Sequence, residues 1–376
     1  LYRIEVSVAD TASLTAELRD DQGNVISSRS GGGVLELHYT ATGAGEQNQL
    51  VLTGGDQDTS YNLLFNLLPV STTVSLDGSN NLVVTDIASS GKSDELSVHY
   101  DPVAGEYVVA DARHAVTTPD GTRVDGQTVR VPATGVTGQL HVEGNAGDDT
   151  LVVYLDGTSF PVGLNFDGGS SGNDTIEIRS ESGAATTIEH SLTTGVGSQT
   201  VVDGAVLNVT HENVEHLRDL LEAETRRFYF SDASDHVVVD NAPSAGVSSV
   251  VSTEASLGIE FASASSLTAI DVGGGNDVLT VIAVDASFDG TMLINGQTGD
   301  DSLDASGLNV PVKINGSGGN DVLSGGNSND TLNGGSGEDL LVGGPGNDRL
   351  QGQGNSLDTL TGGPGDDTLD GGDGYD

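Results

Sequence analysis

A nine-residue period constrains this chain more than any local propensity, because self-similar units too short to bury an apolar face alone must stack on their neighbours. From Gly316 the sequence reads GSGGNDVLS, then GGNSNDTLN from Gly325, GGSGEDLLV from Gly334, GGPGNDRLQ from Gly343 and GGPGDDTLD from Gly362, and it stops inside a further copy, GGDGYD, at Asp376. One unit, GQGNSLDTLT from Gly352, is ten residues long with Gln353 in place of the second glycine, so a bulge is expected there. The same turn recurs upstream at Asp149, Asp174, Asp277 and Asp301, at intervals of 25, 103 and 24 residues and then 20 to Asp321. Alternating runs such as LVVYL, TIEIR and HVVVD lie between the turns and read as short strands. The pattern predicts a solenoid whose coils shorten toward the C-terminus.

Each unit follows G-G-x-G-x-D-x-L-x. Its glycines supply positive φ and let the backbone approach an ion, so the turn presents carbonyl oxygens. The sixth-position aspartate adds one hard anionic oxygen. One turn supplies only part of the six to eight oxygens that calcium takes, so a second must complete the shell. If two units make one coil, turns on one side come from repeats eighteen residues apart. That spacing pairs Asp321 with Asp339 and Asp330 with Asp348; Asp348 and Asp367, nineteen apart, are expected to stack as well, and the extra residue predicts a weaker or distorted Asp339–Asp358 pair. The expected inward core is a column of Leu323, Leu332, Leu341, Leu350, Leu360 and Leu369.

Charge points the same way. The chain carries 56 Asp plus Glu against 13 Lys plus Arg, a formal charge of -43. So strong an anion has no electrostatic route to nucleic acid or anionic lipid, and its compaction calls for bound cations. Between Asp271 and Asp376 there are 18 acidic residues against Lys313 and Arg349. Such Gly-rich, acidic sequence cannot offset the roughly 1–2 kcal/mol per residue of backbone ordering without its ion, which makes metal binding and folding one reaction. There is no cysteine, so disulfides and thiolate chemistry are excluded, and no run of eighteen apolar residues that would insert into a membrane. Leu1 opens the chain without a signal peptide, as expected of a piece of something larger or processed.

The array resembles the RTX, or haemolysin-type calcium-binding, nonapeptide repeat, closely from Gly316 onward. That resemblance implies an all-β fold, a right-handed parallel β-solenoid in which irregular β-helix coils pass into a calcium-binding β-roll, and secretion followed by folding in calcium-rich surroundings outside the cell. It implies Ca2+ as cofactor. The candidate ligands it implies are Asp277, Asp301, Asp321, Asp330, Asp339, Asp348, Asp358, Asp367 and Asp376, with the backbone at Gly319, Gly326, Gly335, Gly337, Gly344, Gly346, Gly363 and Gly365. Ser328 replaces the glycine before Asp330, and Gln297 the second glycine before Asp301; both departures weaken those turns. The turns at Asp149 and Asp174 have no partner eighteen residues away and either bind calcium through unidentified neighbours or serve as Asx turns. The longer coils resemble solenoid segments of large bacterial surface and adhesin-like proteins.

Three segments follow: 1–135, β-rich, forming irregular solenoid coils or a β-sandwich, with the solenoid favoured; 136–310, an irregular solenoid with isolated turns; and 311–376, the β-roll, continuing beyond the chain end. Glu212 to about Arg227 reads as a helix, or equally as a strand and corner. His211 and His216 are five apart, about 140° around a helix, so they do not form a zinc peptidase pair and read as a charged surface element. Gly168-Gly169-Ser170-Ser171-Gly172 matches G-x-S-x-G but lacks the strand, helix and partners of a nucleophile elbow. His38, His99, His114, His141 and His190 stand singly and read as solvated.

The expected function is a non-enzymatic, calcium-binding structural module of a secreted or cell-surface bacterial protein: a stiffened stalk, fibre or surface-layer segment, able to self-associate. Two alternatives stay open: repeats serving the secretion and folding of an extracellular hydrolase, and a carbohydrate- or ice-binding adhesin.

Overall fold

The structure, a computed structural model, describes residues 70–374 except 87–92, 120, 125–126, 156–159, 181–184, 193–197, 204–206, 244–245 and 253–256, together with the strands alone of residues 2–67. Asp376 lies outside the described residues. No described segment is α-helical, and no described helix is long and apolar enough to cross a membrane.

Two sheets of fifteen strands each run through the described residues from Val70 onward. One carries, among others, Thr150–Leu155, Thr175–Ser180, Val278–Val281, Ser302–Asp304, Val322–Ser324, Leu340–Val342 and Thr359–Thr361; the other carries Leu140–Glu143, Leu164–Asp167, Thr291–Thr298, Val312–Gly318, Thr331–Ser336, Arg349–Gln351 and Thr368–Asp370. Successive coils pair in parallel, as Ser302–Asp304 does with Val322–Ser324 and that strand with Leu340–Val342. A solenoid follows directly: each coil gives one strand to each sheet, and the turns between them carry the Gly-Asp signature. Residues 2–67 differ, since their strands pair antiparallel in two three-stranded sheets of their own.

The gap of 103 residues between Asp174 and Asp277 is filled by two antiparallel excursions. Ala185–Ser191, Ser198–Val202 and Leu207–Glu212 form a meander inside one sheet, and His236–Asn241, Val247–Ser252 and Gly258–Ala262 form another inside the opposite sheet. The stretch that reads as helix lies here as strands, His216–Asp219 and Ala223–Tyr229. Leu217 and Asp219 face inward together, a period of two that tertiary pairing imposes over the weaker helical spacing.

The core narrows along the axis. Upstream coils are filled by Tyr107, Phe166, Phe228 and Phe261; the later ones by Met292, Ile294 and Leu303, and the array by Leu323, Leu332, Leu341 and Leu350, all essentially fully buried. Leu360 is half-buried and Leu369 is exposed on the last described coil. Within the wide part sits an ionic cluster absent from the sequence reading. Arg226 Nε donates to Asp219 Oδ2 at 2.7 Å and its other nitrogens to the Ala262 and Leu221 carbonyls, while His190 spans Thr200 Oγ1 (3.0 Å) and Asp219 Oδ2 (3.1 Å) and stacks on Phe228. Burial works to raise the Asp219 carboxyl; the Arg226 guanidinium and His190 outweigh it and hold the group well below the usual range. His190 and His211 are therefore interior residues rather than solvated ones, and burial, aided by His190, lowers His211 to about 4.

Candidate metal centre

The turn aspartates form continuous ladders along the solenoid. On one side Oδ1 of each accepts the backbone N–H of the aspartate one coil earlier: Asp301 to Asp321, Asp321 to Asp339 and Asp339 to Asp358, each at 2.9 Å. On the other, Asp330 donates to Asp348 at 2.8 Å and Asp348 to Asp367 at 2.9 Å. All the predicted pairs are thus neighbours. The ladder bond at Asp339–Asp358 keeps the same 2.9 Å length as its neighbours, and the ten-residue unit turns through a left-handed Gly354 (φ 63°).

Upstream the same bond joins turns whose partners the sequence did not reveal. Asp149 donates to Asp174 across 25 residues, Asp277 to Asp301 across 24 and Asp235 to Asp277 across 42, and Asp174 finds Glu215 Oε2. Asp235 and Glu215 follow no glycine turn, so spacing alone could not have found them. A second ladder runs in the reverse sense one residue earlier. There Asn276 Oδ1 accepts Asp300 N–H, Asp300 Oδ1 accepts Asn320 N–H, and Asn320 Oδ1 accepts Glu338 N–H. Its signal was present in the Asn, Asp or Glu that precedes every turn aspartate of the signature from Asp149 to Asp367 except Asp358, which follows Leu357.

With Oδ1 bonded, Oδ2 decides the chemistry. In Asp277, Asp301, Asp321, Asp339 and Asp348 this oxygen is buried and accepts no hydrogen bond. In Asp301, Asp321, Asp339 and Asp348 it points into a cradle left by the first glycine of its own turn, whereas Val272 stands at that position before Asp277. A Cβ on Gly316 would lie 2.2 Å from Asp321 Oδ2 and 2.7 Å from the Gly334 carbonyl oxygen, and one on Gly343 would lie 2.5 Å from Asp348 Oδ2 and 2.7 Å from the Gly362 carbonyl oxygen. Oδ2 has no donor and faces a carbonyl oxygen, that of Gly362 already accepting Gly344 N–H at 2.9 Å, so it is the carboxylate that a cation or a proton would satisfy. Burial accordingly pushes Asp321 up to about 7 and Asp277, Asp330 and Asp174 up to about 6; Asp301, Asp339 and Asp348 rise for the same reason.

Fourth-position glycines bring the carbonyls together. Gly337 (φ 126°) packs so closely that a Cβ would sit 1.8 Å from the Gly319 carbonyl oxygen, and Gly365 (φ 150°) meets Gly346 in the same way at 1.5 Å. Fourth-position Gly319 and Gly346 and second-position Gly335, Gly344 and Gly363 share the positive φ; second-position Gly326 does not. Its N–H instead donates to Asp330 Oδ2 at 2.6 Å, so the turn in which Ser328 replaces glycine closes on itself and leaves that oxygen partnered. Gln297 departs without such a cost, since it takes the left-handed conformation (φ 71°) and its amide donates to Asp271. Asp358 is buried within its ladder, and Asp367 is half-buried on the last described coil.

Comparison with known proteins agrees with this geometry. The RTX calcium-binding nonapeptide repeat, in 4 copies, matches residues 315–350 and 342–376. A stretch of 87 residues is 33% identical to sperm-specific class P protein 16 of Caenorhabditis elegans, covering 22% of this chain and 80% of that protein. Residues 315–376 are thus RTX calcium-binding nonapeptide repeats, and calcium is the ion such repeats bind.

Proposed function

We propose that the chain is a non-enzymatic, calcium-stiffened segment of a secreted or cell-surface bacterial protein, built as 1–135, 136–310 and 311–376, with calcium setting the rigidity of the last. The observation that carries this reading is the column of donor-free Oδ2 oxygens at Asp301, Asp321 and Asp339, each set against the first glycine of its turn, which runs from the irregular coils into the repeats. Asp277, Asp301, Asp321, Asp339 and Asp348 would hold the ions through Oδ2, together with carbonyls of the stacked turn glycines; Asp358 and Asp367 extend the same columns, and Asp330 contributes least. Calcium would supply charge neutralisation between coils and nothing catalytic. Low calcium would leave the acidic array expanded, and the millimolar calcium of extracellular fluid would wind it up, which supports an extracellular setting. Self-association into a fibre or layer belongs to the same reading.

The test is small-angle scattering and circular dichroism of the full chain in chelator and in millimolar calcium. The reading predicts a gain in β signal and a rod-like profile on calcium addition. Equal profiles in both buffers, or hydrolysis of peptide or ester substrates by the purified chain, would overturn it.

A further inference from the structure

The aspartate ladder changes character at its N-terminal end. Asp94 donates its N–H to Asp149 Oδ1 at 2.7 Å, as later members do to theirs. Asp149 and Asp174 each receive a backbone N–H from the preceding coil, and Asp94 Oδ1 lies against His114 Nδ1. Asp111 closes the group. Its Oδ1 accepts the N–H groups of Arg113 and His114, both at 2.8 Å, and its Oδ2 accepts Thr72 Oγ1 at 2.6 Å and lies 3.6 Å from His114 Nδ1. One ligand atom from each of Asp94, Asp111 and His114 falls within 4.8 Å of the other two. Both carboxylates are fully buried and the imidazole side chain is 11% exposed. His114 Nδ1 is itself buried and makes no hydrogen bond of ordinary geometry with either carboxylate. The neighbouring Arg113 is turned away, toward Glu95 and the Ser93 carbonyl.

We propose that Asp94, Asp111 and His114 form a second metal site, for a Zn2+-class transition ion rather than calcium. Calcium takes oxygen ligands, whereas one imidazole nitrogen with two carboxylate oxygens is a donor set for zinc or a chemically similar divalent ion. Bonds of about 2.0–2.2 Å in a tetrahedral shell separate ligand atoms by roughly 3.3–3.6 Å, and the Nδ1 to Oδ2 distance of 3.6 Å falls in that range. Water fills the fourth position. The two backbone bonds to Asp111 Oδ1 and the hydroxyl of Thr72 fix this carboxylate before any ion arrives, as outer-shell partners do at metal centres. The site is a clip. Thr72 belongs to one solenoid sheet, Asp111 ends a strand of the other, and Asp94 opens the first rung of the ladder, so an ion here joins both sheets where the coils begin.

The competing account is an imidazolium that neutralises the two carboxylates with no ion. Titrating the calcium-saturated full chain with Co2+ separates the two. The proposal predicts one tightly bound Co2+ per chain with the visible absorption of a low-coordinate, imidazole-ligated ion, lost in His114→Ala and weakened at least tenfold in Asp111→Asn. X-ray absorption of the Zn2+-loaded native chain must show a single imidazole in the first shell, a reading that does not depend on either variant folding. Unchanged Co2+ uptake and spectrum in His114→Ala, no tight Co2+ in the native chain, or a zinc shell with no imidazole or more than one would overturn it.

Discussion

Replacing Asp321 with asparagine is predicted to change stability in opposite directions with and without calcium. Asparagine keeps an oxygen to accept Asp301 N–H, bonded to Asp321 Oδ1 at 2.9 Å, and sets an NH2 group where Oδ2 faces the Gly334 carbonyl. In chelator at pH 8 the native carboxyl, raised by burial from 3.8 to about 7, must be charged in the folded chain. That displacement corresponds to a cost on the order of 4 kcal/mol for the ionised group. Asp321→Asn removes the cost and sets a donor in place of the unpartnered Oδ2, so in chelator the variant is predicted to be more stable than the native chain by about 2–4 kcal/mol. In millimolar calcium it loses an anionic ligand, and calcium-dependent stability is predicted to fall by at least about 1.4 kcal/mol, one tenfold step in affinity. Guanidinium unfolding of the full chain followed by circular dichroism reads both effects. Destabilisation in both buffers would refute the reasoning, since it would make Oδ2 a satisfied group rather than an orphan awaiting a cation.

Other perturbations test separate links. Gly337→Ala, whose Cβ would meet the Gly319 carbonyl at 1.8 Å with φ at 126°, is predicted to cost at least about 1–3 kcal/mol in calcium, whereas Gly78→Ala, with nothing within 4 Å, should lie within about 0.5 kcal/mol of native; thermal unfolding of both decides. In chelator the folded carboxyls at Asp321, Asp330 and Asp277 hold protons to about pH 6–7 while the unfolded chain releases them near 3.8, so stability is greatest near pH 4 and falls as pH rises through 7. With calcium the trend reverses, because protons compete with the ion; melting curves at pH 4.5 and pH 8 in each buffer check both signs. Arg226→Ala takes the guanidinium from the buried Asp219 carboxylate, leaving it only His190 and the Leu221 N–H, and is predicted to cost about 3–5 kcal/mol whether or not calcium is present, measured by the same unfolding curves.

Much of the C-terminal array was legible because its period is a physical one. Aspartate, leucine and glycine recur in phase only if each coil repeats the same turn, strand and core contact, and the predicted stacks of Asp321 on Asp339 and Asp330 on Asp348 appear as hydrogen-bonded neighbours. What the period could not give is which oxygen does what. That Oδ1 is taken by a backbone N–H and Oδ2 left over follows from how far one coil is offset from the next, and the closed Asp330 turn follows from a single serine at 328. The irregular coils were harder. Asp235 and Glu215 join the ladder across insertions of unrelated length, and His190, His211, Asp219 and Arg226 meet only because two antiparallel meanders bring distant strands together. A polar residue buried by such a contact has the same local sequence as a solvated one, which is why His190 and His114 read as surface groups.

Calcium placement tests the central claim most directly. Anomalous scattering from crystals of the calcium-loaded chain is predicted to place ions about 2.3–2.6 Å from Oδ2 of Asp301, Asp321, Asp339 and Asp348, each between stacked glycine carbonyls, with the aspartate ladder intact. Ions bound only at the outer carboxylates of Asp300, Glu338 or Asp366, with the inner cradles holding none, would contradict it.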